Sequence, residues 1–204
     1  MEKGKRNMEV TFESLGLSEA MLKALEEKGY GYPTTIQAEA IPYFLQWRDV
    51  IAKAPTGTGK TFAFGIPMVE HADPQGTQVT GLVLAPTREL ANQINDVLMP
   101  LAQMYGMTTT TVYGGVRYAR QIRDLRAGAD IVVACPGRLE DLLEQHALTL
   151  EKVEVAVIDE ADEMADMGFL PPVKRLLGQV SFDAQIMLFS ATLDHGVDEV
   201  VNRS

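Results

Sequence analysis

The stretch Asp49-Val-Ile-Ala-Lys-Ala-Pro-Thr-Gly-Thr-Gly-Lys60-Thr-Phe-Ala-Phe-Gly-Ile-Pro-Met-Val69 decides the predicted fold. It begins as a short apolar strand at 49–54, passes through a glycine-rich loop and continues as a helix from Lys60. A strand that leads through such a loop into a helix is typical of a β-α-β unit, in which the chain crosses back to a parallel neighbour. The stretch therefore predicts an α/β fold whose ligands bind beyond the carboxyl ends of the strands.

The same alternation continues along the chain. Short apolar or β-branched runs predict strands at 81–85, 108–112, 130–134, 153–158 and 185–189. Several are apolar nearly throughout, as a sheet covered on both faces requires. Helices are predicted at 60–69, 88–104, 117–127, 137–145 and 170–177. We therefore predict a single α/β domain at 49–204, a parallel sheet with helices on both faces. An extra helical segment at 11–48 precedes it, after a flexible leader at 1–10.

Composition limits the class of protein. The chain has 204 residues, of which 46% are hydrophobic and 23% charged, which is typical of a soluble globular domain with a sizeable core. No apolar run approaches the roughly 20 residues of a membrane span, so no membrane contact is predicted. Cys135 is the single cysteine, which excludes an intrachain disulfide and fits a reducing cytoplasm.

Charge argues against a large nucleic-acid surface. The formal net charge is −10, whereas neutralising many phosphates requires an excess of Lys and Arg. A small basic track on an otherwise acidic domain stays compatible with this balance.

The loop Ala54–Thr61 has the features of a phosphate-binding loop. Gly57 and Gly59 let backbone N–H groups approach phosphate oxygens, and the helix from Lys60 adds its positive dipole end. Lys60 is expected to reach the β- and γ-phosphates, and the Thr61 hydroxyl is expected to bind Mg²⁺. The alternative is an ordinary strand-to-helix turn, which the preceding strand and the Gly-Lys-Thr sequence disfavour.

A second segment, Val155-Ala-Val-Ile-Asp159-Glu160-Ala-Asp162, is an apolar strand that ends in carboxylates. Asp159 is predicted to hold Mg²⁺, largely through water, because magnesium keeps much of its hydration shell. Glu160 is the better candidate for orienting and deprotonating the attacking water. The alternative is an acidic, solvated start to a helix, where carboxylates interact favourably with the dipole.

The two segments in this order, the second reading Asp-Glu-Ala-Asp, resemble a DEAD-box ATP-dependent RNA helicase of the bacterial type. The resemblance covers Phe12 to about Val201 and implies the N-terminal of two RecA-like domains, with ATP and Mg²⁺ as cofactors. Ala54 replaces the first glycine of the general pattern, which the family tolerates. The resemblance implies an ATP site at Phe12, Gln37, Ala54, Thr56, Gly57, Thr58, Gly59, Lys60 and Thr61.

Gly31-Tyr-Pro-Thr-Thr-Ile-Gln37 resembles the Q motif of this family. The Gln37 amide has the donor and acceptor needed to pair two-pronged with adenine N6 and N7. Phe12 is then expected to stack on the face of the base. The alternative is a helix start led by Pro33, with Phe12 as a core anchor.

Three further elements, each after a predicted strand, match the RNA-contact motifs of the family. Helix N-termini and glycine backbones can bind RNA phosphates without reading the bases. The residues concerned are Pro86, Thr87, Arg88, Gly114, Gly115, Pro136, Gly137 and Arg138. Cys135 stands where the family has Thr, and a thiol is a weak donor, which puts a hydroxyl contact there in doubt. The alternative for any one element is an ordinary strand-to-helix turn.

Ser190-Ala-Thr192 follows the last predicted strand. The resemblance implies that it couples hydrolysis to strand separation and that Asp162 contacts it. The alternative is a helix from Leu193 that Thr192 caps. Nearby, Met164, Met167 and Phe169 are expected to pack in the core rather than to form a recognition surface.

The sequence therefore predicts the first domain of an RNA helicase that hydrolyses ATP and unwinds short RNA duplexes. RNA and a second RecA-like domain of the same parent protein are the expected partners. We expect that domain to be missing from this chain and the chain alone to be inactive in unwinding. Two alternatives stay open: a DNA helicase or translocase of the same superfamily, and a non-enzymatic nucleotide-dependent binding module. Gln37, Phe12 and Asp162 argue against the first, and Glu160 against the second.

Overall fold

The computed structural model describes residues 10–73, 76–194 and 196–202. Except for Val10, the predicted leader at 1–10 lies outside these ranges. The strands of the described residues are β1 (Val50–Lys53), β2 (Gly81–Leu84), β3 (Thr109–Val112), β4 (Ile131–Ala134), β5 (Val155–Ile158) and β6 (Gln185–Ser190). They form one sheet in the order β1-β6-β5-β2-β4-β3, and every neighbouring pair is parallel.

Helices connect these strands and precede the first one. The α-helices are α1 (Glu19–Glu27), α2 (Thr35–Leu45), α3 (Lys60–His71), α4 (Arg88–Met104), α5 (Tyr118–Arg126), α6 (Pro136–Glu144), α7 (Ala161–Asp166) and α8 (Leu170–Leu177). Short 3-10 helices lie at Phe12–Leu15 and Asp198–Val201. Along the part of the chain described here, no helix is both long enough and apolar enough to cross a membrane.

The core lies on both faces of the sheet. Alternate strand side chains such as Val83, Val133 and Val157 pack with α1 to α4 in one apolar cluster. Their neighbours, among them Val132 and Ala156, pack with α5 to α8 in a second cluster. The continuous apolar strands of the sequence arise from this double burial. The predicted α/β fold, a parallel sheet covered by helices on both faces, is thereby confirmed.

The N-terminal helical segment is attached to the helix that follows the glycine-rich loop. The Ser18 side chain caps α1 and donates to Glu70 Oε1 on α3 at 2.6 Å. Tyr105, just after α4, donates to the same Glu70 oxygen at 3.2 Å. These contacts fix α1 against α3, so the segment ahead of β1 is a packed part of the domain.

Several predicted boundaries shift, one local interpretation is wrong, and one open alternative is not observed. Helix α6 begins at Pro136 instead of 137, because proline is well suited to the first helical position. No helix directly follows Thr192 among the residues described there; the next helical turn is Asp198–Val201, preceded by Val197. Met164 is fully buried, but Met167 is 45% exposed, so the predicted core packing fails for Met167. It follows α7 directly and lies on its solvent side.

The N-cap of α6 supplies a test of local stability. Cys135 has the extended backbone of an N-cap residue, but its side chain makes no capping hydrogen bond. A serine hydroxyl at this position can accept from the free N–H groups of the first turn. We expect Cys135→Ser to stabilise the domain by about 1 kcal/mol, which raises the melting temperature by roughly 2–4 °C for a chain of this size.

The control is Cys135→Ala, which removes the thiol without adding an acceptor. Urea unfolding of both variants measures the free energy of unfolding. Equal stability of the serine and alanine variants would show that this helix end gains nothing from a side-chain cap.

Candidate functional site

The loops after the six strands lie at one edge of the sheet, because all strands are parallel. Strand order divides this edge into two halves. The glycine-rich loop, the Asp-Glu-Ala-Asp segment and Ser190-Ala-Thr192 follow the neighbouring strands β1, β5 and β6. The segments at 86–88, 114–115 and 136–138 follow the other three neighbours, β2, β3 and β4. The predicted nucleotide elements and the predicted RNA elements therefore form two adjacent groups.

The glycine-rich loop has the backbone that its two glycines were expected to provide. Gly57 and Gly59 have φ values of 83° and 85°, in the left-handed region that favours glycine. Gly59 is the N-cap of α3, so the first N–H groups of that helix face the loop without a side-chain cap. Uncapped N–H groups and a positive dipole end form an anion-binding environment.

The charged centre of the site is Lys60 with two carboxylates of the β5 loop. Lys60 Nζ lies 3.2 Å from Asp159 Oδ1 and 3.7 Å from Glu160 Oε1. Only 1% of Asp159 is exposed, and this burial raises the pKa of its carboxyl group, against the opposing effect of Lys60. The structure thus brings together the lysine and the carboxylates that are 99 positions or more apart in the chain.

Glu160 is held in an unusual backbone conformation. Its φ of 50° and ψ of 52° lie in the left-handed region, which a non-glycine residue adopts at some cost in free energy. Its N–H donates to Asp159 Oδ1 at 2.9 Å, so the two acidic residues are fixed relative to each other. A hydrogen bond to Glu160 raises the pKa of Glu163 to about 7, with burial as a smaller cause. Glu163 is an acidic neighbour of the site that the sequence analysis did not identify.

The donor types at this centre fit a magnesium ion. Magnesium prefers oxygen ligands, and in phosphate-loop sites it is bound by a hydroxyl at the position of Thr61 and by an acidic residue. Thr61 is the second residue of α3, and Asp159 follows β5 at the same edge. The carboxylate of Asp159 is buried with Lys60 as its cationic partner, and a divalent cation would stabilise its charged form further.

Gln37 lies at the loop, but its amide is already bonded to protein. Its Oε1 accepts from the Thr34 N–H at 3.0 Å, within a capping box at the start of α2. Its Nε2 donates to the Gly59 carbonyl at 3.2 Å. A Cβ on Gly59 would approach Gln37 Nε2 to 2.6 Å, so this contact also requires glycine there. Of the two groups that were predicted to pair with adenine, Nε2 therefore contacts the loop and Oε1 contacts the start of α2.

The two aromatic residues near this corner differ in exposure. Phe12 is 4% exposed and packs in the first apolar cluster. This burial agrees with the alternative that Phe12 anchors the core. Tyr30 is 40% exposed, and its ring packs against Phe62 in the first turn of α3 at a centroid distance of 4.8 Å. Tyr30 was missed by the sequence analysis, although it lies directly before the segment that resembles the Q motif.

Asp162 contacts the segment after β6, as expected. The Asp162 N–H donates to Ser190 Oγ at 3.1 Å, and the Thr192 hydroxyl donates to Asp162 Oδ2 at 3.5 Å. Ser190 Oγ in turn donates to the Thr192 carbonyl. The loops after β5 and β6 are thus joined beside the charged centre.

In the other half of the edge, the guanidinium groups of Arg88 and Arg138 each lie over a tyrosine ring. Thr87 caps α4 by accepting from the Leu90 N–H at 3.2 Å. The Arg88 guanidinium lies 5.1 Å from the centre of the Tyr113 ring. Gly115 has a φ of 84°, and a Cβ there would lie 3.3 Å from Arg88 Nη1. Arg88 is therefore next to the Gly114-Gly115 segment.

Arg138 is bonded to protein as well. Its Nη1 donates to the Val116 carbonyl at 2.7 Å and to Gln121 Oε1 at 2.9 Å. Its guanidinium lies 4.0 Å from the centre of the Tyr118 ring. Burial, with a smaller contribution from Glu89, raises the pKa of the Cys135 thiol to about 11, so this thiol is protonated near neutral pH.

Comparison with known proteins agrees with this geometry. The DEAD/DEAH box helicase family matches residues 34–200. The DEAD-box ATP-dependent RNA helicase CshA of Geobacillus kaustophilus is 43% identical over 95% of this chain. The ATP-dependent RNA helicase DeaD of Escherichia coli is 44% identical over 96% of it. The chain spans 41% and 31% of the length of these two relatives.

Solved structures of similar fold also come from DEAD box proteins and RNA helicases. The crystal structure of a DEAD box protein from the hyperthermophile Methanococcus jannaschii is 37% identical and has a TM-score of 0.88, covering 95% of this chain and 53% of that chain. A hypothetical ATP-dependent RNA helicase from Sulfolobus tokodaii is 38% identical with a TM-score of 0.82, covering 91% of this chain and 54% of that one. With the family match over 34–200, these similarities establish that the chain belongs to the DEAD/DEAH box helicase family.

Proposed function

We propose that this chain is the ATP-binding first domain of an ATP-dependent RNA helicase. The observation that carries the proposal is the contact of Lys60, at the start of the phosphate-loop helix, with Asp159 and Glu160 at 3.2 and 3.7 Å. This arrangement combines a cation for phosphate oxygens, a ligand for magnesium and a base for water at one corner. The family relationship and the names of the two relatives support an RNA rather than a DNA substrate.

In the proposed mechanism, the triphosphate competes with the carboxylates for Lys60. The carboxylates hold the lysine over the loop before nucleotide binds. When the phosphates occupy the N–H groups of the loop and of α3, Lys60 pairs with their oxygens. Asp159 and Glu160 then become available for magnesium and water.

Thr61 and Asp159 are proposed to hold the magnesium ion, which supplies charge neutralisation on the phosphate oxygens when it is bound. Glu160 is proposed to accept the proton of the attacking water. Its backbone is fixed by the N–H bond to Asp159 and by the left-handed turn, so its carboxylate is directed without a flexible loop. Asp162, Ser190 and Thr192 are proposed to transmit a change at this centre to the rest of the edge.

For the base, we propose that Gln37 reads adenine and that Tyr30, rather than Phe12, provides the stacking face. Exposure supports this choice, since Tyr30 is 40% exposed and Phe12 is 4% exposed. The amide of Gln37 must then exchange its contacts with Thr34 and Gly59 for contacts with the base. Adenine binding and the release of the loop are coupled in this proposal.

RNA is proposed to run along the other half of the edge. The N-termini of α4 and α6 and the backbone of Gly114 and Gly115 offer N–H groups to phosphates, and Arg88 adds charge. A second RecA-like domain of the parent protein is proposed to supply an arginine opposite the γ-phosphate, a contribution of about 10³–10⁵ in rate. A cytoplasmic location fits the single thiol of the chain.

The first prediction concerns Lys60. We expect Lys60→Ala to weaken ATP binding to this chain strongly, because the cation that meets the phosphates is lost. Isothermal titration calorimetry with ATP and Mg²⁺ measures the effect. Lys53→Ala is the matched control, since it removes an exposed positive charge from β1 just before the loop. Unchanged ATP affinity in a folded Lys60→Ala protein would exclude Lys60 as a phosphate contact.

The second prediction concerns hydrolysis in the longer parent protein. Glu160→Gln preserves the shape of the side chain and removes its basicity. We expect ATP binding to persist and RNA-stimulated hydrolysis to slow by about 10²–10⁴-fold, the usual contribution of a positioned general base. Phosphate release under saturating ATP provides the measurement, with Asp166→Asn, an exposed carboxylate at the end of α7, as the control. Near-normal turnover of the Glu160 variant would assign the base to another group.

The third prediction separates two roles of Gln37. A two-pronged amide pair discriminates bases by about 1–3 kcal/mol. We expect Gln37→Ala to lower ATP affinity by more than GTP affinity, because the loop contact with Gly59 is lost for both nucleotides and the base contact for adenine alone. If the amide only holds the loop, ATP and GTP affinities fall together. Parallel titrations of this chain with both nucleotides distinguish these results.

A further inference from the structure

The segment Tyr113–Val116 connects β3 to α5 and contains the two glycines that the proposed function assigns to RNA phosphates. Both glycines are exposed, and Gly115 has a φ of 84°. Glycines restrict the backbone least of all residues, so this segment loses much conformational freedom when it binds a ligand. Contacts that order the segment before RNA binds would reduce this entropic cost and so raise the affinity for RNA.

Gln121 fixes the first end of the segment. It is on α5 and only 3% exposed, so its amide must find partners within the protein. Its Nε2 donates to the Tyr113 carbonyl at 2.9 Å. Its Oε1 accepts from Arg138 Nη1 at 2.9 Å.

Arg138 fixes the second end. The same Nη1 donates to the Val116 carbonyl at 2.7 Å, so one nitrogen joins Val116 to Gln121. The guanidinium carbon lies over the Tyr118 ring at 4.0 Å from the ring centre, within the range of a cation–π contact. The Tyr118 hydroxyl donates to Asp141 Oδ2 at 2.8 Å, which holds the ring in place.

We propose that Gln121 and Arg138 form a clamp that holds the Gly114-Gly115 segment ready for RNA, and that Arg138 acts as a positioning residue through this clamp. The clamp donates hydrogen bonds to the carbonyls at both ends of the segment, those of Tyr113 and Val116. These bonds do not involve the N–H groups of the two glycines. The inference rests on the proposed RNA function of this half of the edge. It assigns a role to Gln121, which is not itself one of the predicted RNA-contact residues but bonds to one of them, Arg138.

The order of the segment can be measured without RNA. Backbone ¹⁵N relaxation gives order parameters for Gly114, Gly115 and Val116 in this chain. We expect values near 0.85 in the wild type and below about 0.6 in Gln121→Leu and in Arg138→Ala. Arg126→Ala is the matched control, because it removes an exposed arginine from the other end of α5. Unchanged order parameters in both clamp variants would overturn the proposal.

RNA binding then tests the consequence. Fluorescence anisotropy with labelled single-stranded oligouridylate at low salt measures affinity for the wild type, both variants and the double variant. Fixing one backbone residue changes an equilibrium by about tenfold, so each single variant is expected to lose about tenfold in affinity. Because both residues act in one clamp, the double variant is expected to lose little more than either single variant.

The outcomes separate the clamp from a direct phosphate contact and from the proposed function itself. If Gln121→Leu binds RNA normally while Arg138→Ala binds weakly with a salt dependence reduced by roughly 0.7 in log–log slope, Arg138 contacts phosphate directly and the clamp is excluded. Unchanged ATP affinity of Gln121→Leu, with an unchanged melting temperature, excludes general misfolding. If the wild type binds no RNA, the RNA assignment fails, and the relaxation experiment still decides whether the clamp exists.

Discussion

Parallel pairing of all six strands is the constraint on which the site depends. It puts the carboxyl end of every strand on one edge, so residues distant in the chain meet there without any contact specific to them. The strand order then sorts the loops: those after β1, β6 and β5 are neighbours, and so are those after β2, β4 and β3. The proposed nucleotide site and the proposed RNA contacts are therefore separated along the sheet by topology and adjoin at the β5–β2 boundary.

Within the proposed nucleotide half of the edge, Lys60 and Asp159 form a buried ion pair at 3.2 Å. Both side chains are largely buried, and a buried charge without a partner is costly. The burial raises the pKa of Asp159, and the lysine opposes this effect. If phosphates and a divalent cation bind here as proposed, the site keeps its own charges paired until those ligands compete for them.

The sequence predicts the fold well because its signals are local and redundant. Apolar strands and the loop Ala54–Thr61 locate every strand to within a few residues, and Arg88–Met104 and Leu170–Leu177 were predicted with their observed bounds. The site residues follow from the same strands. What the sequence could not provide is the hydrogen-bond partner of each side chain. Gln37 and Arg138 carry the chemistry expected of ligand contacts, but their partners depend on tertiary packing.

Exposure likewise depends on packing. Phe12 and Tyr30 are both aromatic residues ahead of Gln37, and only the folded structure distinguishes the buried ring from the exposed one. Glu163 is notable because its hydrogen bond with Glu160 raises its pKa. The spacing of three residues permits this bond but does not require it. The error at Met167 has the same origin, since the local pattern does not show on which side of the helix this residue lies.

Three buried glutamines of the described residues hold loops and the ends of elements in place through their neutral amides. Gln37 joins the start of α2 to Gly59, Gln121 joins Tyr113 to Arg138, and Gln185 donates from Nε2 to the carbonyls of Phe44 and Arg48 at 2.8 Å each. A neutral amide offers a donor and an acceptor at a lower desolvation cost than an ion. Lysine and carboxylates then stay concentrated where phosphate and magnesium are proposed to bind. In a chain of net charge −10, this division places Lys60, Arg88 and Arg138 at the edge of the sheet where anionic ligands are proposed to bind.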